Sequence, residues 1–483
     1  MKKLISWVCS ILMLLTAVVA FGCTPKNNMD GYALSICYDN GGYGRVWLDN
    51  AVEKFCIQEG IDVDKVYIEA VKEVSTQIER RLDTGKQLRD VMLVNGNGPE
   101  WAARGWLEPL DDVYNTTLSN GKTVLESMTN QKAREHGHLN NARGDHYYLF
   151  TGGSGGAWGI YYNKTMFDEN NWEVPETYDE LIALCDNIYN NHCKGKADSE
   201  KIYPFVCSSD IFQYWDFVVQ NWIVQIMGID AYYEYAKMAS KDNYAMESVY
   251  AQAKVKALEY WSKIAIDNAT DKNGAPKYVN SQSSGYVTAQ LLFSQGRVAM
   301  MPNGTWFENE VETASGHTID IALMPTPYVK EAKKDANDEF IYVNYAGNVG
   351  GSFIPSQAQN KDMAKKFLAF LAEEEVVLDT FKESGYTLGF SADYSSIYNE
   401  LSVCKKTIAN AFENAITFSY QPDTDFKYSG FANFWMNGDP YDQLLSPSNT
   451  LDAEGYVRKE STWVLTEWDE MLRRTNEMLA QVK

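Results

Sequence analysis

Positive charge is scarce in this sequence. Its 43 lysines and arginines stand against 65 aspartates and glutamates, a net charge of −22 at pH 7. Nucleic acid is excluded as a partner, because a phosphate backbone demands a basic face. Acidic ligands in general are disfavoured as well, unless a local basic pocket overrides the mean. Metal-ligand spacing is missing too. The cysteines include no CxxC pair, and His136-Gly137-His138, with His146 nearby, sits in a polar, turn-rich stretch that reads as a solvated loop rather than a zinc pair. The glycine-rich run from Gly152 to Gly156 lacks the Gly-Lys-Ser/Thr ending of a phosphate loop, and the last position of a G-x-G-x-x-G read from Gly153 falls on Trp158. No G-x-S-x-G elbow occurs; the nearest stretch, "GGSGGA", leads into a strand instead of a helix. No metal and no cofactor is expected. A surface glycoside hydrolase stays open on composition, since any two of 65 carboxylates could be offered as its acid and base. The reading favoured here is a binding protein, not an enzyme.

What is present starts at the N-terminus. Lys2 and Lys3 precede an apolar run from Leu4 to Phe21, broken only by Ser6, Ser10 and Thr16, and Gly22-Cys23 closes it. That is the layout of a signal peptide. It resembles a bacterial lipoprotein signal, in which the cysteine is lipidated and becomes the mature N-terminus, although Ala20 stands where leucine is usual. Ala20-Phe21-Gly22 would also suit an ordinary secretory peptidase, which takes small residues at both recognition positions. On the lipoprotein reading residues 1–22 are the signal and 23–32 the lipidated Cys23 with its polar tether. The mature chain then has 41 basic and 65 acidic residues, a net −24, having lost Lys2 and Lys3 and no acids. Its expected place is the extracellular side of the cytoplasmic membrane, anchored by lipid. Six cysteines follow Cys23. Disulfides are permitted outside the cytosol and six thiols allow fifteen complete pairings, but Cys37 in an apolar strand and Cys56 in a helical pattern read as buried free thiols.

From residue 33 strand and helix alternate: strand 33–38, helix 46–58, strand 65–71, helix 75–83 and strand 90–94, a βαβαβ unit. Val52, Phe55 and Cys56 recur at helical spacing in the first helix, and the second opens on Thr76-x-x-Glu79, the pattern of a capping box. In a doubly wound sheet the loops leaving the strands' carboxyl ends gather on one rim. Here those loops are Asp39-Asn40-Gly41-Gly42-Tyr43-Gly44 and Asn95-Gly96-Asn97-Gly98-Pro99, with Tyr38 and Trp101 beside them. Amides and a carboxylate hydrogen-bond hydroxyls, while aromatic rings stack on a flat apolar ring face. The strand, glycine run and strand of 146–163 read as a crossing between lobes, because glycines absorb backbone rotation at a hinge. Thr177 and Glu180 form a second capping box. The helical stretch "IFQYWDFVVQNWIVQIM", 211–227, is aromatic enough that Phe212, Tyr214 and Trp215 near its start are candidates for a ligand face. Finally, the strand 297–301 runs into Pro302-Asn303-Gly304, which puts Trp306 just past a strand's carboxyl end, as a core plug or as a platform for something bound.

Six motifs in order, "GWLEPLDD" at 105–112, "GDHYYLF" at 144–150, "WGIYYNKTMFDE" at 158–169, "VPETYDELIALC" at 174–185, "LLFSQGRVAMMPNGTWF" at 291–307 and "FIPSQAQNKDMAKKFLAFL" at 353–371, resemble the extracellular solute-binding proteins of carbohydrate ABC importers, the maltose-binding-protein-like family. The resemblance runs from Ala33 to about Phe390. It implies an α/β, two-lobed periplasmic-binding-protein-like fold, each lobe a doubly wound sheet flanked by helices, joined by three hinge crossings. It implies an N-terminal lobe of 33–150 with 300–350 and a C-terminal lobe of 151–299 with 351–483. It implies a sugar bound between them by a monomer and delivered to the permease subunits of an ABC importer. The matching cleft residues are Tyr38, Tyr43, Trp101, Phe212, Tyr214, Trp215, Trp306, and Trp435 in "NFWMNG"; Asp39, Asn40, Asn95 and Asn97 of the two rim loops join them as candidate ligand contacts. Platforms from so many segments point to an oligosaccharide. Arg297 stands where the family usually has lysine, and residues 391–460 fall outside the resemblance. A non-sugar solute such as a polyamine is the alternative, since carboxylates with aromatics hold cations and Asp39 is placed to serve.

Overall fold

Strands and helices β1 (Leu34–Asp39), α1 (Val46–Glu59), β2 (Val66–Val71), α2 (Ser75–Thr84) and β3 (Val91–Leu93) open the first lobe. The structure is a computed structural model that describes residues 29–72, 74–94, 96, 98–129, 137–151, 156–206, 212–280, 285–348, 351–420, 426, 439–446 and 448–481. β1 lies between β2 and β3 and parallel to both, as the βαβαβ reading expects. Side chains alternate across a strand. Leu34, Ile36 and Tyr38 therefore face one core with Trp47, Val52 and Phe55 of α1, and Cys37 faces another with Ile78 and Leu82 of α2. The two helices cover opposite faces of the sheet. Met29 is buried. The box expected at Thr76 does not form: Val74 is the N-cap of α2, no side chain caps it, and Thr76 falls inside the helix. Val74 is fully buried. Helix α3 (Gly98–Ala103) and the hairpin of β4 (His138–Asn141) and β5 (Gly144–Tyr147) follow.

The second lobe is built from β6 (Gly159–Asn163), α4 (Tyr178–Ile188), β7 (Tyr203–Val206), α5 (Asp216–Met227), α6 (Val249–Ser262), β8 (Val279–Asn280), α7 (Tyr286–Ser294), β9 (Val298–Asn303), α8 (Phe307–Ser315), β10 (Ile321–Met324) and β11 (Val343–Asn348). Its five-stranded sheet has the order β10-β6-β9-β7-β8. β7 is parallel to β8 and β9, and β6 is antiparallel to both its neighbours. Thr177 and Glu180 form the reciprocal box that starts α4.

The expected lobe boundaries are corrected at this point. β9 is buried along its whole length and pairs with β6 on one side and β7 on the other. A strand in that position is the middle of a sheet and not a crossing, so residues 300–348 stay in the second lobe. The return comes later, where Ser352 pairs with Phe150, Phe353 with Met92 and Pro355 with Leu107. Helices α9 (Lys361–Phe370) and α10 (Glu374–Ser384) then cover the α1 side of the first sheet, with Phe367 5.2 Å from Phe55. Residues 351–390 thus complete the first lobe. α11 (Val403–Asn414), β12 (Ile416–Tyr420), which pairs with β11, and α12 (Ala453–Gln481) finish the second.

Buried charge ties distant segments together inside each lobe. Asp90, 2% exposed, accepts from Ser35 N and Oγ at 2.9 and 2.7 Å through one oxygen, and from Gln359 N and Asn360 N at 2.9 and 2.8 Å through the other. One carboxylate so joins β1 to the start of α9. Cys37, Cys56, Cys185, Cys193 and Cys404 are buried and unpaired, and burial pushes the Cys37 thiol up to about 12. Cys207 lies outside the described residues. In the second lobe Lys254 Nζ sits 2.7 Å from Glu460 Oε1, with both side chains almost fully buried, and fastens α12 to α6. Removing one partner of such a pair strands the other charge in a desolvated site. We therefore expect Lys254→Met to cost about 3–5 kcal/mol in urea unfolding, and the double change Lys254→Met with Glu460→Leu to recover most of it. A double variant no more stable than the single one would show that the pair is not what fastens the helix.

Candidate functional site

A cavity of 310 Å³ lies where the lobes meet, a size typical of small-molecule sites. The first lobe lines it with the carboxyl ends of β1 and β3 and the loop after β1: Tyr38, Asp39, Gly41, Gly42, Tyr43, Leu93 and Val94. The second contributes Trp158 and Trp306. Phe150, Gly156, Gly351 and Ser352, from two of the crossings, join the lining together with Tyr386 and Leu388. Among these described residues Asp39 is the one carboxylate, and there is no lysine or arginine.

Trp306 stands at the seam, on the N-cap position of α8, one short turn beyond β9. In that turn Gly304 N–H donates to Asn303 Oδ1 at 2.8 Å. Two glycines make room for the indole. A Cβ on Gly304 would overlap its six-membered ring, and one on Gly42, across the seam, would lie 2.7 Å from its five-membered ring. Polar bonds flank the contact. Tyr43 OH and Thr305 Oγ1 share a hydrogen bond of 2.5 Å, and Asn309 Nδ2 donates to Gly42 O at 2.5 Å. Burial raises the Tyr43 phenol's pKa, which keeps its hydroxyl protonated.

From Trp306 the aromatic rings continue both ways. Tyr43 meets it edge-on at 6.0 Å and Tyr386 stacks on Tyr43 at 4.6 Å. On the other side Trp158 meets it edge-on at 5.3 Å, Phe217 packs on Trp158 at 4.5 Å, and Tyr214 stacks on Phe217 at 4.9 Å. Trp158, Phe217 and Tyr386 lie outside the candidates that the sequence pattern supplies. Trp158 was within reach, because the first residues after a hinge glycine run must border the cleft, and Phe217 follows Tyr214 at helical spacing. Tyr386 was hidden by the wrong lobe assignment of its segment.

The remaining candidates divide. Tyr38 is 6% exposed and braces the loop, donating to Gly44 O at 2.8 Å and accepting from Trp47 Nε1 at 3.1 Å; burial holds its phenol up at about 12. Asn40 is outside the lining, its N–H bonded to Val71 O. Phe212 packs half-buried on the second-lobe core. Trp101 and Trp215 are corrected to core residues. Trp101 packs edge-on against Phe353 at 5.4 Å, and Trp215, 1% exposed, lies 5.1 Å from Phe205. The segment Phe212–Trp215 is a 3₁₀ turn, whose side chains step by a third of a circle. That step sends Trp215 inward while Tyr214 comes within 6.0 Å of Trp306. Asn95, Asn97, Trp435 and Cys23 lie outside the described residues. His146 Nδ1 lies 3.0 Å from Asp111 Oδ2, away from the cavity, and no metal-binding cluster occurs among the described residues.

Residues 50–396 match the family model of the bacterial extracellular solute-binding proteins. The chain belongs to that family. Among relatives of this solute-binding protein, the diacetylchitobiose binding protein NgcE of Streptomyces coelicolor is 23% identical over 350 residues, 71% of this chain and 66% of that one. The multiple sugar-binding protein of Streptococcus mutans is 24% identical over 249 residues, 50% of each chain. The matched part thus spans two thirds or less of these relatives' own length. Solved structures share the two-lobed fold. RafE in complex with raffinose superposes at a TM-score of 0.58 with 17% identity, covering 89% of this chain and 97% of that one. A chitin oligosaccharide binding protein does so at 0.58 with 16% identity, covering 93% and 100%. Among the described residues no helix of the solute-binding protein is long and apolar enough to cross a membrane.

The division into core and seam rings predicts their stability costs. Trp215→Ala removes a filled core volume and is expected to cost about 3–5 kcal/mol in urea unfolding. Trp306→Ala, at a half-open seam, is expected to cost less than half of that. Equal losses would place Trp306 in the core.

Proposed function

We propose that this solute-binding protein is a surface lipoprotein, anchored through Cys23, that captures an oligosaccharide at the seam and delivers it to the permease subunits of an ABC importer without chemically changing it. The observation that carries the reading is the run of rings from Tyr386 through Trp306 to Tyr214, which crosses from one lobe to the other beside a cavity with no basic residue in its described lining. A pyranose offers flat apolar faces for such rings and hydroxyls for the polar groups between them. The sugar-binding names of NgcE, the multiple sugar-binding protein and RafE support it.

At 310 Å³ the cavity is near the lower end of small-molecule sites, so a ligand of several sugar units must part the lobes. The Tyr43–Thr305 and Asn309–Gly42 bonds are then the ones exchanged for ligand contacts. Ligand shifts the equilibrium between lobe positions only by what it binds better in one of them.

Titrating one glycan series from monomer to hexamer tests the site. Affinity should climb over several units and level off, no new reducing ends should form, and Trp306→Ala should weaken the best binder by about tenfold or more, 1.4 kcal/mol. A monosaccharide that binds as tightly as any longer chain would sink the oligosaccharide reading. The anchor is tested separately. Cys23→Ala should move the protein from the membrane fraction to the soluble one, because loss of the acyl chains removes the buried CH₂ groups that hold it; unchanged membrane recovery would exclude anchoring by that residue.

A further inference from the structure

Helix α2 sorts its charges by face. At about 100° per residue, Gln77, Arg80, Arg81 and Thr84 share one side, and Glu79 and Asp83 project from another. The first side, with Lys86 and Gln87 from the following loop, lines a concavity of 340 Å³. None of these residues lines the seam cavity, and none is acidic. The back wall is rigid. Arg81 is 7% exposed; its Nη2 donates to Glu69 Oε1 at 2.9 Å and its Nη1 to Gln87 O at 3.3 Å. Gln87 sits at φ 57°, in the left-handed region, where the Arg81 bond helps to keep it.

Behind this wall Glu69 faces two guanidiniums, Arg81 at 2.9 Å and Arg89 at 2.7 Å, and the buried Nε of Arg81, which lines the concavity, has no hydrogen-bond partner. Arg80 and Lys86 form no ion pair among the described residues, as Lys65, Lys72 and Lys122 of the same lobe form none, but these two share one concavity with the buried Arg81. In a chain of net charge −22, two cations without an ion pair and the buried Arg81 line one concavity whose described lining has no acidic residue.

We propose that this concavity binds a phosphate-type oxyanion, held by the Arg80 guanidinium and the Lys86 ammonium with the Gln77 and Gln87 amides as further donors. An arginine fork matches two oxygens of such a group, and a lysine adds a mobile point charge. The anion is either free phosphate or the phosphate of a lipid headgroup; the chemistry at the protein is the same.

The test has two arms. In one, the purified protein is titrated calorimetrically with inorganic phosphate. In the other, its partition onto phosphatidylglycerol-containing vesicles is compared with that onto phosphatidylcholine vesicles, a difference to which any lipid anchor contributes equally. Saturable phosphate binding identifies the free ion, and a preference for phosphatidylglycerol alone identifies the headgroup. In either arm the exposed double change Arg80→Gln with Lys86→Gln should weaken binding roughly tenfold, raised salt should weaken it too, and Glu79→Gln on the other face should not. No binding in either arm, or binding that survives the double change, overturns the proposal.

Discussion

The width of the seam is set by one indole lodged between two residues that have no side chain. Trp306 has Gly304 beneath it and Gly42 across from it, and a Cβ on either would occupy its space. The indole is carried by the step from β9 to α8, so it is fixed to the second lobe, and Gly42 belongs to the loop that leaves β1 in the first. The cavity volume, the Tyr43–Thr305 bond and the continuity of the ring series all follow from that approach. At Trp306 the lobes are joined by a ring edge and two polar bonds, and beside them Phe381 of α10 packs in one apolar cluster with Phe307 and Ile408 of the second lobe. Interfaces of that composition permit domain motion without unfolding.

Charge is scarce in the described lining of the seam cavity. Glu69 with Arg81 and Arg89 lies under the first sheet, and Lys254 with Glu460 lies in the second lobe. Asp216 shows how strongly burial acts there. It opens α5, where a helix N-terminus favours an anion, and accepts from Tyr441 OH at 2.9 Å, yet desolvation raises its carboxyl to about 6. Such groups give the interiors their internal ties, and the described cavity lining keeps a single carboxylate, Asp39.

Local periodicity made much of this legible in the sequence. The βαβαβ start and the capped start of α4 rest on patterns within a dozen residues each, whereas the local pattern at Trp306 leaves it a core plug or a platform and only the resemblance puts it at the cleft. Lobe membership has no such local pattern. Val298–Asn303 reads as the same apolar strand whether its neighbours are β6 and β7 or a strand of the first lobe, and only non-local hydrogen bonding decides. The aromatic candidates failed for a related reason. Residue type announces a ring but not its direction, and a single residue step within one 3₁₀ turn separates Tyr214 at the seam from Trp215 in the core.

Met29 is buried in the folded body, and this bears on how far an anchored molecule could move. Were Cys23 the attachment point, the six residue steps to Met29 could span no more than about 20 Å in any conformation. That limit is shorter than the 29-residue α12, about 44 Å at 1.5 Å per residue. A protein held that closely could swivel and tilt over its patch of membrane but not drift away from it. Its search for a transporter would then be a walk in two dimensions, with the captured solute carried along the surface instead of lost to the bulk.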